Sequence, residues 1–394
     1  MSGSTLRAVV AGGSMGGLAA AISLARGGAD VRTYERSRRP LEGRGAGIVL
    51  HPVTTSLIKA DVASFSAHTS RLQYFDVGGR VSAELPCNYR FTSYSALHAA
   101  LLGEFDSDRY RLASEVTGFE QDADAVAVRL SSGERVECDL LVAADGISSR
   151  ARATLAPQTA SRYAGYVGWR GTVLERDLDK ATAALLDDAI TYCVIPDSHI
   201  LIYPIPGEDG SSEPGARQVN WVWYRNVAEG PGLDRVLTDR NGVRQPVSVG
   251  SGAAADEVVA DLCRDAEDLL PGPVHEVVAR SPEPFVQVVF DIEVPQMAFG
   301  RVALIGDAAF AIRPHIAVGT AKAAENGISI AAQVSDPASV AADLVRWQPR
   351  QIELGRTAMA RSAKAGQRSQ FTNSWSIGDP LPFGLFADGD SQLT

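Results

Sequence analysis

RAVVAGGSMGGLAAAISLARGGADVRTYER, residues 7–36, decides the fold class. After Arg7 the run to Ala11 is wholly apolar, which predicts a strand buried on both faces, as in a parallel sheet. The loop Gly12-Gly13-Ser14-Met15-Gly16-Gly17 follows, then the helical stretch LAAAISLAR with Gly27-Gly28 as its stop. A second strand, DVRTYE, ends on Glu35, 23 residues after Gly12. Strand, glycine turn, helix and distant acid make a dinucleotide-binding unit. The glycines allow close backbone approach, the helix N-terminus faces the pyrophosphate, and the acid receives the ribose hydroxyls. An acid there disfavours a 2′-phosphate, so an ADP moiety is expected. Ser14 stands where the fingerprint has its middle glycine; its N–H still reaches a phosphate and its hydroxyl adds a contact. The expected nucleotide contacts are Gly12, Ser14, Met15, Gly17, Glu35 and Arg36.

Bulk properties bound the rest. At 394 residues the chain is long enough for about two domains. A net charge of −10 with no long basic block argues against a nucleic-acid partner. The apolar N-terminal run imitates a secretion signal, but its glycines and Ser14 fit the nucleotide loop instead. No stretch approaches the roughly 18 uninterrupted apolar residues of a membrane span, so no membrane partner and a cytoplasmic location are expected. Cys87, Cys138, Cys193 and Cys263 lie far apart, as free thiols in a reducing compartment would. The six histidines lack metal-ligand spacing, so no metal is expected.

Two further stretches narrow the nucleotide. DLLVAADGISSRARATL, residues 139–155, is a buried strand running into Asp145-Gly146, with Ser149 and Arg152 behind. GDAAFAIRPH, residues 306–315, follows another apolar strand and wedges Asp307 among very small residues. A glycine-rich loop, a DG turn and a GD turn, in that order and at those separations, resemble the para-hydroxybenzoate hydroxylase-like class of single-component FAD monooxygenases. The resemblance spans roughly residues 5–370. It implies an α/β fold: a Rossmann-like FAD-binding domain with an inserted β-sheet substrate domain and a C-terminal helical segment. It further implies FAD as cofactor, NADH or NADPH as co-substrate, and a homo-oligomer.

Residue by residue, the resemblance gives Asp307 a contact to the ribityl chain and Pro314 a place beneath the flavin ring. Gly306, Ala317, Gly319 and Thr320 would lie against the cofactor, with the helix after them aiming its N-terminus at the ring. Asp145 would help hold FAD and border the nicotinamide groove, and Arg44 would stand near the flavin. FTSYSAL, AGYVGWRG, YPIPG, RNVAEGP and the GD segment resemble in particular the hydroxypyridine-oxidising members of the class. Phe310, Ala317, Ala321 and Tyr94 depart from the wider class, which has histidine, glycine, asparagine and arginine there.

Between about 160 and 290 the pattern shifts to short β-branched and aromatic segments: TYCVIP, HILIYPIP, QVNWVWYR and FVQVVFD. These predict a sheet that carries the substrate. The expected division is 1–75, 99–160 and 289–334 for the FAD-binding domain, 76–98 and 161–288 for the substrate domain, and 335–394 for a helix and an extended tail. Hydroxylation needs a polar group that handles the proton of a ring hydroxyl. His51, at the end of GAGIVLHP, is the first candidate; Tyr203, His315, Tyr224 and His199 are the others. Trp221 and Trp223 either pack as core or stack on a flat substrate.

The expected activity is thus hydroxylation of a small aromatic substrate, an electron-rich hydroxypyridine or phenol, ortho to a hydroxyl through a flavin C4a-hydroperoxide. The alternative is a flavin-dependent reductase or oxidase of a natural-product intermediate, without oxygen insertion.

Overall fold

The computed structural model describes residues 5–41 and 47–392. Arg7–Ala11 lies at the heart of a six-stranded sheet, between Leu140–Ala143 and Asp30–Tyr34, with which it pairs in parallel. Val302–Leu304 extends the parallel order beyond Leu140–Ala143, and Tyr110–Arg111 extends it beyond Asp30–Tyr34. Only the short edge strand Ala298–Phe299 runs antiparallel. The apolar run is explained by burial on both faces: Ala8 and Val10 pack under helices, Val9 and Ala11 in a smaller core behind. The helices Met15–Arg26 and Gly319–Gln333 cover the sheet together. They touch closely because Gly327 has no side chain; a Cβ there would stand 2.6 Å from the Ala20 nitrogen.

The second sheet has ten strands. Its centre is Arg162–Leu174, Gln218–Asn226, Ser198–Ile205 and Ala189–Ile195, and Phe285–Glu293 flanks it. Ala67–Phe75, Val81–Ser93 and Gly47–Val49 complete the far side, so chain from the first third of the sequence joins the same sheet. Strand alternation sends Trp169, Trp221, Trp223, Ile200 and Ile202 to one face, where Asp256–Leu269 and Gly272–Ala279 cover them. Tyr166, Val222, Tyr224, Leu201 and Tyr203 go to the other.

That other face looks towards the GD segment. The 31-residue helix Val340–Gln370 begins in the core of the first sheet, at Leu344 and Trp347, and ends against the second, at Ala365. The tail does not trail away after it. Trp375, Leu381 and Phe383 are buried on the second sheet, and the Tyr74 hydroxyl donates to the Asp379 carbonyl at 2.7 Å.

Candidate active site

The glycine loop is shaped by steric necessity. Gly12 has φ +102°, and a Cβ on it would overlap the Ala144 carbonyl; one on Gly17 would overlap the Gly12 carbonyl. Glu35, at the end of its strand, accepts from the Gly13 N–H at 2.9 Å and the Ser37 N–H at 2.8 Å. Its carboxylate is thereby fixed at the loop's rim. Ser14 begins the helix Met15–Arg26, and its hydroxyl is bonded to that of Tyr94 at 2.6 Å. Tyr94, the residue in place of an arginine, thus joins the loop to the cavity it also lines. Met15 is buried behind the loop and Arg36 is exposed beside Glu35. Arg44 lies outside the described residues.

The two aspartate turns meet through a residue whose role sequence reading missed. Arg152 donates to the carbonyls of Asp307 at 3.3 Å, Ala308 at 3.1 Å and Ile147 at 2.5 Å, lashing the DG turn to the GD turn. Asp145 takes the Ala151 N–H on one oxygen; its other oxygen is buried with no partner. Gly306, at φ +60°, donates its N–H to the Asn326 side chain at 3.0 Å. Asp307 is half exposed, 3.8 Å from the buried ammonium of Lys322, which also donates to the Phe310 carbonyl at 2.6 Å. Burial lowers the Lys322 pKa, and Asp307 opposes that shift.

Phe310 and Ala317, two of the departures from the wider class, have local explanations. Phe310 packs against Gly355 of the long helix, where a Cβ would sit 2.7 Å from its ring. Ala317 adopts the left-handed conformation at φ +57°, and His51 Nε2 holds its carbonyl at 2.8 Å.

Between this segment and the second sheet lies a cavity of about 270 Å³. Pro314, His315, Ala317, Gly319 and Thr320 form one wall. The sheet wall includes Arg170, His199, Tyr203, Val222 and Tyr224, and the tail adds Trp375 and Phe383. His315 stands 4.7 Å from the Tyr224 ring and 5.5 Å from His199, centroid to centroid. Trp375 stacks on Tyr192 and His199 at 5.8 and 5.7 Å.

The cavity sorts the candidates on this side. His51 does not line it; its ring is buried and bound to the Ala317 backbone, so it shapes the loop from behind. Trp221 and Trp223 are core, donating their indole N–H groups to Ser281 and Ser198 on the far face. Residues two apart share a face, so the run WVWY puts Val222 and Tyr224 at the cavity instead. Tyr203 does line the cavity, but its hydroxyl is committed to the Gly47 carbonyl at 2.9 Å.

His315 does stand at the wall. Its Nε2 is bonded to the Tyr166 hydroxyl at 2.7 Å, and its Nδ1 is buried without a partner. Arg313, locked to Asp291 at 3.0 Å, lies over the Tyr166 ring at 5.9 Å from its centre. Burial pushes the His315 pKa well below the usual histidine value, with His199 and Arg313 adding to the effect. Burial alone lowers His199 to about 3.

These shifts carry a stability consequence. Both rings are neutral when folded, whereas the unfolded chain protonates them below the ordinary value of 6.5. Stability is therefore retained above that value and lost as pH falls from it towards 3. His199 is expected to cost about 1.4 kcal/mol per pH unit in that window, and His315 acts in the same direction. Urea unfolding at pH 7.5 and 5 checks this, and His199→Gln should flatten the slope. An unfolding free energy unchanged across that range would contradict it.

Comparison with known proteins now adds to the geometry. Residues 163–291 match the FAD binding domain-like family model. The chain is 36% identical over 391 residues to 2,6-dihydroxypyridine 3-monooxygenase of Paenarthrobacter nicotinovorans, covering 98% of this chain and 97% of that protein. This chain belongs to the FAD-dependent aromatic hydroxylases. The solved 2,6-dihydroxypyridine-3-hydroxylase from Arthrobacter nicotinovorans superposes with a TM-score of 0.91 at 35% identity, over 98% of both chains. A Klebsiella pneumoniae structure with FAD and uric acid gives 0.76 at 25% identity, covering 93% of this chain and 90% of its own. The hydroxylase is thus a flavoprotein monooxygenase, and among its described residues no helix is long and apolar enough to cross a membrane.

Proposed function

We propose that this hydroxylase acts on a small hydroxypyridine or similarly electron-rich phenol, adding oxygen ortho to an existing hydroxyl, with NADH or NADPH as reductant. The observation that carries the reading is the cavity, which sets the aromatic rings of Tyr192, His199, Tyr203 and Tyr224 on the sheet side against the segment Pro314–Thr320. Its likeness across nearly the whole chain to a dihydroxypyridine monooxygenase supports the ring class.

The residues fit FAD. The loop Gly12–Gly17 presents backbone to the pyrophosphate, and Glu35 stands ready for the ribose. The unpartnered oxygen of Asp145 and the half-exposed Asp307 offer acceptors to the hydroxyls between ribose and ring. Gly319 and Thr320 open a 15-residue helix with no side-chain cap, leaving their N–H groups to face the ring. Bound and reduced, FAD supplies the electrons that activate oxygen for transfer to the substrate.

The chain's own residues do the rest. His315 stands at the cavity wall with Nε2 held by the Tyr166 hydroxyl, which leaves Nδ1 to meet a polar group of the ring. Trp375 and Phe383 keep water from the ring's outer side, as transfer of activated oxygen requires.

The test is NADH and NADPH oxidation by the FAD-loaded protein against a panel of hydroxypyridines and phenols, with hydrogen peroxide measured alongside. A substrate should accelerate oxidation by at least about 10-fold with little peroxide. Stoichiometric peroxide with every ring would favour an oxidase, and no acceleration by any ring would overturn the reading.

A further inference from the structure

We infer that Arg170 is the cavity's anion-recognition residue, so that the substrate ring binds already ionised with its negative oxygen facing this guanidinium. The inference rests on the reading of the cavity as a substrate site and names the state in which the ring enters it.

Arg170 belongs to the central strand Arg162–Leu174, opposite Val222, and its side chain lines the cavity. Its Nε is buried with no hydrogen-bond partner, and among the described residues no carboxylate pairs with it. Neighbouring arginines are treated differently. Arg313 is forked onto Asp291, Arg217 onto Glu175, and Arg152 onto three carbonyls. A semi-buried cation without a counter-charge is costly to keep, and a ligand that brings the charge removes the cost.

Nothing else on the described walls supplies it. Asp307 is the only carboxylate lining the cavity among those residues, and it faces Lys322 on the loop side. Tyr203 and Tyr224 feel the Arg170 charge, yet burial dominates and keeps both phenols protonated, Tyr224 up to about 12. Two more unpartnered polar atoms sit near: the amide nitrogen of Asn220, across from Thr172 on the adjoining strand, and His315 Nδ1. The amide nitrogen is a donor, so with the Arg170 guanidinium it offers hydrogen and positive charge on the sheet side of the cavity.

The same inventory bears on the proton. His199 and His315 are held too far below neutral to take a proton from a ring hydroxyl at pH 7. The ring that Arg170 selects has lost its proton to solvent before binding. Rings acidic enough to ionise near neutral pH are accepted, while a neutral ring of the same outline is not.

The experiment measures dissociation constants from the flavin absorbance change of FAD-loaded protein. The probes are 2,6-dihydroxypyridine, its dimethyl ether and an ionised nitrophenol. Wild type should bind the ionisable rings about 10- to 100-fold more tightly than the ether. Arg170→Met should abolish that preference by weakening the anions and leaving the ether unchanged, and Arg170→Lys should retain part of it. An undiminished preference in Arg170→Met would overturn the inference; so would loss of FAD from that variant, which would make Arg170 a cofactor contact. Should the nitrophenolate bind through Arg170 while no hydroxypyridine accelerates NAD(P)H oxidation, the proposed ring class falls and this inference stands. Should wild type bind neither anion, both fall.

Discussion

Gly17→Ala is expected to give a protein destabilised by more than about 3 kcal/mol and unable to retain FAD. The added methyl would overlap the Gly12 carbonyl and reach within 3.3 Å of Val10. The carbonyl is backbone fixed in the turn beneath the helix Met15–Arg26, so the helix itself must move away. Alanine favours a helix over glycine by about 1 kcal/mol, which is too little to offset the overlap. Moving that helix also withdraws its N-terminus from the pyrophosphate. Gly272→Ala is the control, because a methyl there meets nothing within 4 Å. Urea unfolding and the flavin-to-protein ratio measure both effects. A Gly17→Ala protein as yellow and as stable as the control would show that the tight packing is not required.

Gly366→Ala should do the reverse, sparing the fold and the flavin while lowering substrate-stimulated turnover about 100-fold. Gly366 lies near the end of the helix Val340–Gln370. A Cβ on it would stand 2.5 Å from the Tyr166 oxygen and 2.8 Å from His315 Nε2, driven between the partners of a 2.7 Å hydrogen bond. Side chains can yield where backbone cannot, so the helix survives and gains some intrinsic propensity. What is lost is the orientation of the imidazole. Wild-type turnover in this variant, at unchanged flavin content, would show that His315 need not be held by Tyr166.

The nucleotide half was legible because its signals are local. A strand buried on both faces must be apolar throughout, and a loop under a phosphate must be glycine-rich, so residues 7–36 declare themselves. The cavity was legible only in part. Period-two alternation shows that a strand has two faces but not which one meets the ligand, and in WVWY both faces carry aromatic residues. His51 misled because its position near the ring is a matter of sequence, whereas its direction depends on the Ala317 carbonyl 266 residues away. Arg170 and Arg152 gave no signal of their own, since an unpaired arginine and a paired one look alike in a sequence. The tail was misjudged for a related reason: its glycines, prolines and aspartates read as extended chain, and the sheet that buries Trp375 and Phe383 is remote in sequence.

That tail has a consequence for how such an enzyme diversifies. A β-strand inside the sheet answers to neighbours on both edges, so replacing its residues disturbs register and core together. The stretch holding Trp375 and Phe383 belongs to neither sheet's ladder and is anchored by side chains, among them Tyr74 on Asp379, Arg368 on Asp379 and Arg361 on Pro382, Gly384 and Leu385. Substitutions at Trp375 and Phe383 rewrite this margin of the cavity without touching a strand register, while Gly384 and Leu385 tie the same stretch to the loop at Ile316. Preference for one ring over another can therefore evolve at two buried side chains outside the sheet.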